Sequence, residues 1–285
     1  MVSVVVPAHN EARVIARLLG RLVPAAPGGD LAGLDGLDII VVANGCTDDT
    51  AEVAGSFGPP VRVLSIPVAS KRDALLAGDE AAKGFPRIYV DADVELGAGD
   101  IQALGAALRR PGTLACGPQR DLDLAGRPWL VHWYYAVWER LPEVRSGLFG
   151  RGVIGLSEAG HARVADLPPL LADDLVASLA FTPAERVIVP AARVVVHTPR
   201  TARDLLRRRV RATMGVNQIA ATEGAPETTA RTRPRDLLEM IRARPLIAPQ
   251  VAVFLAVAVL ARRQAAREVR RREYSTWLRD ESSRL

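Results

Sequence analysis

RIYVDADVEL, residues 87–96, decides the fold. A short apolar run, Ile88-Tyr89-Val90, leads straight into two aspartates, Asp91 and Asp93, with Ala92 keeping the space between them open. A continuous apolar run of this length, bounded by polar residues, predicts a strand of a parallel sheet covered on both faces. In such sheets ligands bind beyond the carboxyl ends of the strands. Carboxylates at i and i+2 of a strand point to one side. A hard cation with oxygen ligands, Mg2+ or Mn2+, would explain the pair. Solvated loop aspartates explain an isolated Asp-x-Asp at least as well, so the neighbouring sequence carries the decision.

Upstream, residues 2–6 form a β-branched run ended by Pro7, and a helical pattern covers residues 10–22 through Val14, Ile15, Leu18, Leu19 and Leu22. A Gly/Pro/Asp-rich loop over residues 24–36 leads to a second buried strand, DIIVVA, at 38–43. The turn NGCTDDT, 44–50, should open a helix capped near Thr47. A third strand is expected over 61–66 and a helix over 70–83. Strand and helix alternate at short spacing, the pattern of an α/β, doubly wound, mostly parallel sheet. The polar clusters at 7–11, 44–49 and 91–93 each follow a strand, so they should converge on one crevice.

After Asp100 the pattern changes. Residues 128–138, PWLVHWYYAVW, hold three of the four tryptophans and suit a core, an acceptor platform or an interfacial anchor. GRGVIGLS, 150–157, is a Gly-rich stretch that permits close backbone approach to a ligand or makes a plain strand turn. LADDLVASLAF (171–181) reads as helix and VIVPAARVVVH (187–197) as strand. TARDLLRRRVRATMG (201–215) reads as an Arg-rich helix opened by Thr201, with Asp204 three residues on. A polar linker follows Thr222, then the amphipathic DLLEMIRAR, the apolar APQVAVFLAVAVLA, and a basic run ending in WLRDESSRL.

With 285 residues and 49 % hydrophobic content the chain can bury a large core. Its two cysteines, Cys46 and Cys116, are far apart and lack metal-ligand spacing, which suits a reducing, cytoplasmic compartment. The N-terminal stretch reads as a first strand, and no export is expected. Residues 1–199 carry 18 basic and 23 acidic side chains, whereas 200–285 carry 19 and 9. That imbalance points to an anionic partner for the C-terminal segment, or to a compositional bias toward Arg, since Lys71 and Lys83 are the only lysines.

VSVVVPAHNEA, IIVVANGCTDDTAEVA, SKRDALLAGDEAA and IYVDADVEL, in this order and spacing, resemble the nucleotide-binding half of family-2 glycosyltransferases, inverting enzymes of the GT-A fold. The resemblance covers residues 2–100 closely and extends to about residue 216. It implies a GT-A domain over 1–216, with a nucleotide-binding half (1–100) and an acceptor half (101–216), and a helical extension over 217–285. It implies that Pro7, Ala8 and Glu11 line the nucleoside pocket and that Asn44 lies near the base. Lys71 would approach the nucleotide, Asp91 the ribose or metal, and Asp93 the metal, with Ala92 between them. The donor would be a nucleoside-diphosphate sugar, UDP-linked, with Mn2+ or Mg2+. One departure is that Ala43-Asn44 stand where the family often has Asp-Asp, so a carboxylate at the base is missing.

Asp173-Asp174 occupies the place of the family's Glu-Asp pair, whose second member activates the acceptor, so Asp174 would be the catalytic base. An acidic helix N-terminus, stabilised by the helix dipole, explains the pair otherwise. Direct displacement needs one carboxylate to take the acceptor hydroxyl proton while a metal neutralises the diphosphate, and it inverts the anomeric centre. His197 resembles the downstream histidine that such enzymes supply to the metal. Arg208 and Arg211 resemble an Arg-x-x-Arg segment that would clamp the diphosphate, a solvent-facing cluster being the other reading. Ala212 stands in place of a tryptophan that polymer-making members carry, which argues against a processive polymerase.

A nucleotidyltransferase would want a Gly-rich basic loop after the first strand, where Pro7-Ala8-His9-Asn10-Glu11 stands. A non-catalytic nucleotide-sugar-binding protein would have no use for both metal and base carboxylates. The acceptor would be a small molecule or a lipid-linked one, and no nucleic acid is expected. The 16-residue apolar run at 246–261, interrupted by Pro249 and Gln250, falls short of the ~20 residues a bilayer span needs. It should pack on the domain or make peripheral contact with an anionic membrane at its cytoplasmic face.

Overall fold

The computed structural model describes residues 1–23, 36–165, 167, 173–222 and 232–271, with only the backbone of residues 173 and 269–271. Most of the Gly/Pro-rich loop, the linker after Thr222 and the terminal WLRDESSRL lie outside the described residues. The first elements are β1 (Val2–Ala8), α1 (Ile15–Leu22), β2 (Leu37–Asn44), α2 (Thr50–Gly55), β3 (Val61–Ile66), α3 (Lys71–Ala81) and β4 (Arg87–Val90). Then come β5 (Val94–Glu95), α4 (Ala98–Leu108), β6 (Ala115–Asp123), α5 (Trp129–Trp138), α6 (Pro142–Ser146), β7 (Val153–Leu156) and α7 (Glu158–Ala165). The last are α8 (Asp173–Leu179), β8 (Arg186–His197), α9 (Ala202–Ala221), α10 (Pro234–Ala243), a 3-10 turn (Pro245–Ile247) and α11 (Ala248–Arg271).

The chain divides into two compact units that interleave along the sequence. One comprises Met1–Leu122, Leu148–Asp166 and Ala180–Val196; the other comprises Asp123–Gly147, Leu167–Leu179 and His197–Leu285.

The first unit is built on an eight-stranded sheet in the order β3-β2-β1-β4-β7-β6-β8-β5. β3, β2, β1 and β4 are parallel, with Val4 opposite both Ile39 and Ile88. β7 then pairs antiparallel with β4 and with β6, and β5 pairs antiparallel with β8. The sheet is therefore mixed: the crossover helices that make strands parallel end at β4. Side chains alternate between faces with the strand period of two. Val4, Val6, Ile39 and Val41 share one core with Ile15 and Leu18 of α1 and Ile101 and Leu104 of α4. Val5, Ile40 and Val42 share another with Ala74 of α3. Both faces are covered, which is why these runs are apolar throughout.

Asp38 is the exception in that core. Its carboxylate is buried and accepts from Ser3 Oγ (3.1 Å), Lys83 N–H (3.0 Å) and Arg62 Nη2 (2.7 Å). Burial pushes its carboxyl upward, but the Lys83 N–H, Arg62 and Ser3 together outweigh that and hold it below the ordinary carboxylate value. One side chain thus ties β2 to β1, to β3 and to the turn after α3.

Three local expectations are corrected. The helix expected over 10–22 is ordered as α1 from Ile15, because residues 9–12 spend their polar groups on the turn after β2. The next helix begins at Thr50, not near Thr47, since the Thr47 N–H donates to Asn10 Oδ1. Asp91 and Asp93 are not strand residues: β4 stops at Val90, and the three residues that follow turn the chain into β5.

In the second unit, Thr201 caps α9 and accepts the Asp204 N–H at 3.1 Å. α11 packs on α5 and α9. Phe254 stacks on Tyr134 with centroids 5.2 Å apart, and Ala261 and Ala265 meet Val210 and Met214. The aromatic stretch is α5, with Tyr134 and Tyr135 buried and Trp129 exposed. The apolar run does not break at Pro249 and Gln250. Proline is tolerated in a helix's first turn, where its missing N–H is an orphan anyway. Pro245–Glu268 is accordingly long and apolar enough, by length and composition alone, to cross a membrane, which the 16-residue count had denied.

Candidate active site

The carboxyl ends of β2, β1 and β4 stand side by side at one edge of the first unit's sheet. The loop after β1 and the turn after β2 clasp each other there. The His9 Nδ1–H donates to Asn44 O at 2.6 Å, and the Glu11 N–H donates to Thr50 Oγ1 at 2.8 Å. The Ala12 N–H donates to Asp48 Oδ2 at 3.2 Å. Asn10, at φ 53°, takes the left-handed turn that brings its Oδ1 to the Thr47 N–H at 2.8 Å. Gly45, at φ 57°, approaches Ala69 so closely that a Cβ would lie 2.5 Å from its backbone nitrogen. Only glycine fits that position.

Asn44 lies at the end of β2 with 2 % exposure. Its Nδ2 donates to Ala8 O at 2.8 Å, which fixes the amide's orientation. Its Oδ1 is buried and has no hydrogen-bond partner among the described residues. A buried acceptor left unpaired is costly, so a ligand N–H arriving there would be favoured. Glu11 is buried beside this loop, and Pro7 and Ala8 are the last residues of β1.

Asp91 and Asp93 leave β4 half-exposed, while Ala92 between them turns into the core at 4 % exposure. Two contacts hold the turn. The Asp91 N–H donates to Gly152 O at 2.7 Å, and Asp91 Oδ1 accepts from Lys71 Nζ at 2.8 Å. Lys71 is the first residue of α3, presented by the Ser70 cap, which accepts the Asp73 N–H at 3.2 Å. Gly152, at φ 66°, packs against Val94 and Asp91: a Cβ there would lie 2.5 Å from Val94 Cγ1. Beside it Arg151 is buried, donating to Pro118 O at 3.0 Å. Burial first, then the charge of Arg120, pushes Arg151 down to about 9, so it remains cationic at neutral pH.

Among the described residues no group of three or more His, Cys, Asp or Glu side chains is gathered to hold a metal ion. A pair of carboxylates is nonetheless the donor set that Mg2+ and Mn2+ commonly use, with waters and substrate phosphates completing the shell. Asp91 and Asp93 fit that role, and Lys71 supplies positive charge at the same turn.

The remaining expected site residues belong to the second unit. His197 ends β8; its Nδ1 lies 3.0 Å from Asp123 Oδ2, and its carbonyl accepts from Arg208 Nη1 at 3.2 Å. Asp123 also receives Arg127 Nη2 at 2.9 Å. Burial raises the Asp123 carboxyl, but the His197 contact, the Ala125 N–H and Arg127 outweigh it and hold it below its ordinary value. Nothing in the sequence links Asp123 to His197 across 74 residues. Arg208 and Arg211 lie one turn apart on α9, half-buried and exposed respectively. Asp174 lies in the first turn of α8, where its Oδ1 accepts the Leu175 N–H at 2.8 Å.

The comparisons with known proteins bear on the family and the fold. The family model described as Glycosyl transferase family 2 matches residues 3–154. Uncharacterized glycosyltransferases of Mycobacterium bovis and Mycobacterium tuberculosis are 32 % identical over 148 residues, half of this chain. That alignment spans 62 % of their length. Among solved structures, glucosyl-3-phosphoglycerate synthase from M. tuberculosis, in complex with Mn2+, UDP and glucosyl-3-phosphoglycerate, superposes with a TM-score of 0.55. The match is at 20 % identity and covers 80 % of this chain and 81 % of that one. S. aureus TarS 1–349 in complex with UDP gives a TM-score of 0.51 at 14 % identity, covering 96 % and 93 %. The two structures share the GT-A architecture of mixed sheet and flanking helices. The chain belongs to glycosyl transferase family 2.

Proposed function

We propose that the chain transfers a sugar from a nucleoside-diphosphate sugar, UDP-linked, to an acceptor hydroxyl with inversion at the anomeric carbon. The observation that carries this reading is the strand-end constellation of the first unit. A buried amide oxygen on Asn44 lacks a partner among the described residues, and a turn bearing two carboxylates is held from both sides by Lys71 and Gly152. The Mn2+ and UDP bound by glucosyl-3-phosphoglycerate synthase, and the UDP bound by TarS, support the choice of donor.

In this reading Pro7, Ala8 and Glu11 bound the nucleoside, and the Asn44 Oδ1 accepts a base N–H such as the imide of uracil. Asp91 and Asp93 would hold Mn2+ or Mg2+, with His197 as a further ligand. When bound, the metal neutralises charge that develops on the departing diphosphate. Lys71, Arg208 and Arg211 add fixed positive charge toward the same group. Asp174 removes the acceptor hydroxyl proton as the new bond forms, which raises the hydroxyl's nucleophilicity without a covalent intermediate. A single base acting opposite the leaving group yields the inverted product.

Turnover of UDP-sugars, measured as UDP release with Mn2+ and again after chelation, tests the reading. Asp93→Ala should fold as the parent does and lose at least about a hundredfold in rate, because a metal ligand is removed. Parent-like turnover by Asp93→Ala would refute the site, and a retained anomeric configuration would refute the mechanism.

A further inference from the structure

Among the described residues, five of the ten exposed large apolar side chains fall in one segment: Leu238 on α10, Leu246 on the 3-10 turn, and Leu255, Val259 and Leu260 on α11. That concentration separates them from the singly scattered surface apolars that need no explanation. On α11 the side facing α5 and α9 carries Val251, Phe254, Ala261 and Ala265, all buried. The other side exposes Ala252, Leu255, Ala256, Val259 and Leu260. These recur at i, i+3, i+4, i+7 and i+8, the spacing of a second apolar stripe. A helix apolar all round is ordinarily enclosed on all sides; this one is enclosed on one.

Charge marks what the open side meets. Exposed Arg242 and Arg244 precede the apolar band, exposed Arg262, Arg263 and Arg267 follow it, and no Asp or Glu occurs between residues 240 and 267. Leu260, Arg263 and Arg267 also line a cavity of about 440 Å3 with Leu206, Gln264 and Glu268, so methyl groups and guanidinium heads share one surface with a single acid at its end. A second copy docked on this face about a two-fold axis would bring five arginines of each copy together against Glu268 and Glu239, and Glu239 is already paired with Arg235 at 3.1 Å. Anionic lipid headgroups compensate them directly, and an apolar stripe between arginines is the pattern of a helix lying in the bilayer interface.

We propose that α10, the 3-10 turn and α11 form a docking surface for an anionic lipid bilayer. Leu246, Leu255, Val259 and Leu260 enter the interfacial layer, and Arg242, Arg244, Arg262, Arg263 and Arg267 sit at lipid phosphates. The inference is independent of the glycosyl-transfer reading, so either can fail alone.

Sedimentation of the full chain with phosphatidylcholine vesicles containing about 30 % phosphatidylglycerol tests it, against pure phosphatidylcholine as the second arm. The parent should bind the anionic vesicles at least about tenfold more tightly than the neutral ones, and raised salt should weaken binding without abolishing it. The double variant Arg262→Glu/Arg263→Glu should lose about tenfold or more. Leu255→Asn/Val259→Asn, changed at exposed positions and so expected to keep the parent's circular dichroism, should lose a similar factor by removing the apolar insertion. No binding by the parent, or binding indifferent to both variants, would overturn the proposal. So would a parent dimer that Leu255→Asn/Val259→Asn converts to monomer, because a second copy would then be the occupant.

Discussion

Gly152→Ala tests whether the turn that carries Asp91 depends on close approach by the strand-end glycine. Gly152 lies at φ 66°, where an alanine costs about 1 kcal/mol. Its new Cβ would stand 2.5 Å from Cγ1 of Val94, a buried core residue that cannot swing into solvent. Relieving such overpacking costs roughly 1–3 kcal/mol, so the variant should lose about 2–4 kcal/mol in all. At roughly 2–4 °C per kcal/mol for a chain of this size, Tm should fall by about 5–15 °C. Thermal melts followed by far-UV circular dichroism measure it. Val94→Ala removes the obstructing methyl, so the double variant should be more stable than the sum of the singles by about 1 kcal/mol, well outside the ~0.3–0.5 kcal/mol scatter of independent sites. The Asp91 N–H bonds to Gly152 O, so Mn2+-dependent UDP affinity should fall with Tm. A Gly152→Ala protein that melts within about 1 °C of the parent, or shows strict additivity with Val94→Ala, would refute the packing argument.

Two further outcomes follow from named contacts. Asp174→Asn should lower kcat by orders of magnitude and leave UDP affinity nearly unchanged, because a base acts only at the transition state; equal losses in both would place Asp174 at the donor instead. Asp38→Asn should cost roughly 2–3 kcal/mol at pH 7, since it removes the charge from the buried acceptor of the Ser3, Arg62 and Lys83 bonds. The carboxyl of Asp38 is held below the ordinary aspartate value, so its contribution is present above about pH 4 and lost as pH falls through the lower folded value. Parent and variant melting curves should therefore converge in acid, and a gap that widens below pH 4 would contradict the assignment.

Much of the first unit was legible from local signals. β3 at 61–66 and β4 at 87–90 fall where the sequence places them, because each begins directly after a proline, Pro60 or Pro86, which punctuates the chain. Thr201 and Asp204 likewise announce α9, since a cap is a contact between residues three apart. The same locality explains the residue-level errors. α1 and α2 begin later than their patterns suggest because residues 9–12 and 47–50 are spent on each other, across a separation of about 36 residues that no local pattern reports. The direction of β7 was hidden as well: four apolar residues fit a parallel or an antiparallel neighbour equally, and only the β4 pairing chooses.

At the candidate site, sequence supplied the chemistry and tertiary structure the environment. The order of Pro7, Asn44, Lys71 and Asp91-Ala92-Asp93 along alternating strands and helices marked these residues as candidates, since ligand groups collect where parallel strands end. It could not say that Asp91 and Asp93 stand on a turn rather than a strand, that Gly152 supports that turn, or that Asp123 orients His197. The apolar stretch of α11 shows the same division. Composition alone marks a helix apolar on every side. Which side is enclosed depends on where α5 and α9 lie, because burial is a property of packed surfaces and not of the residues that form them.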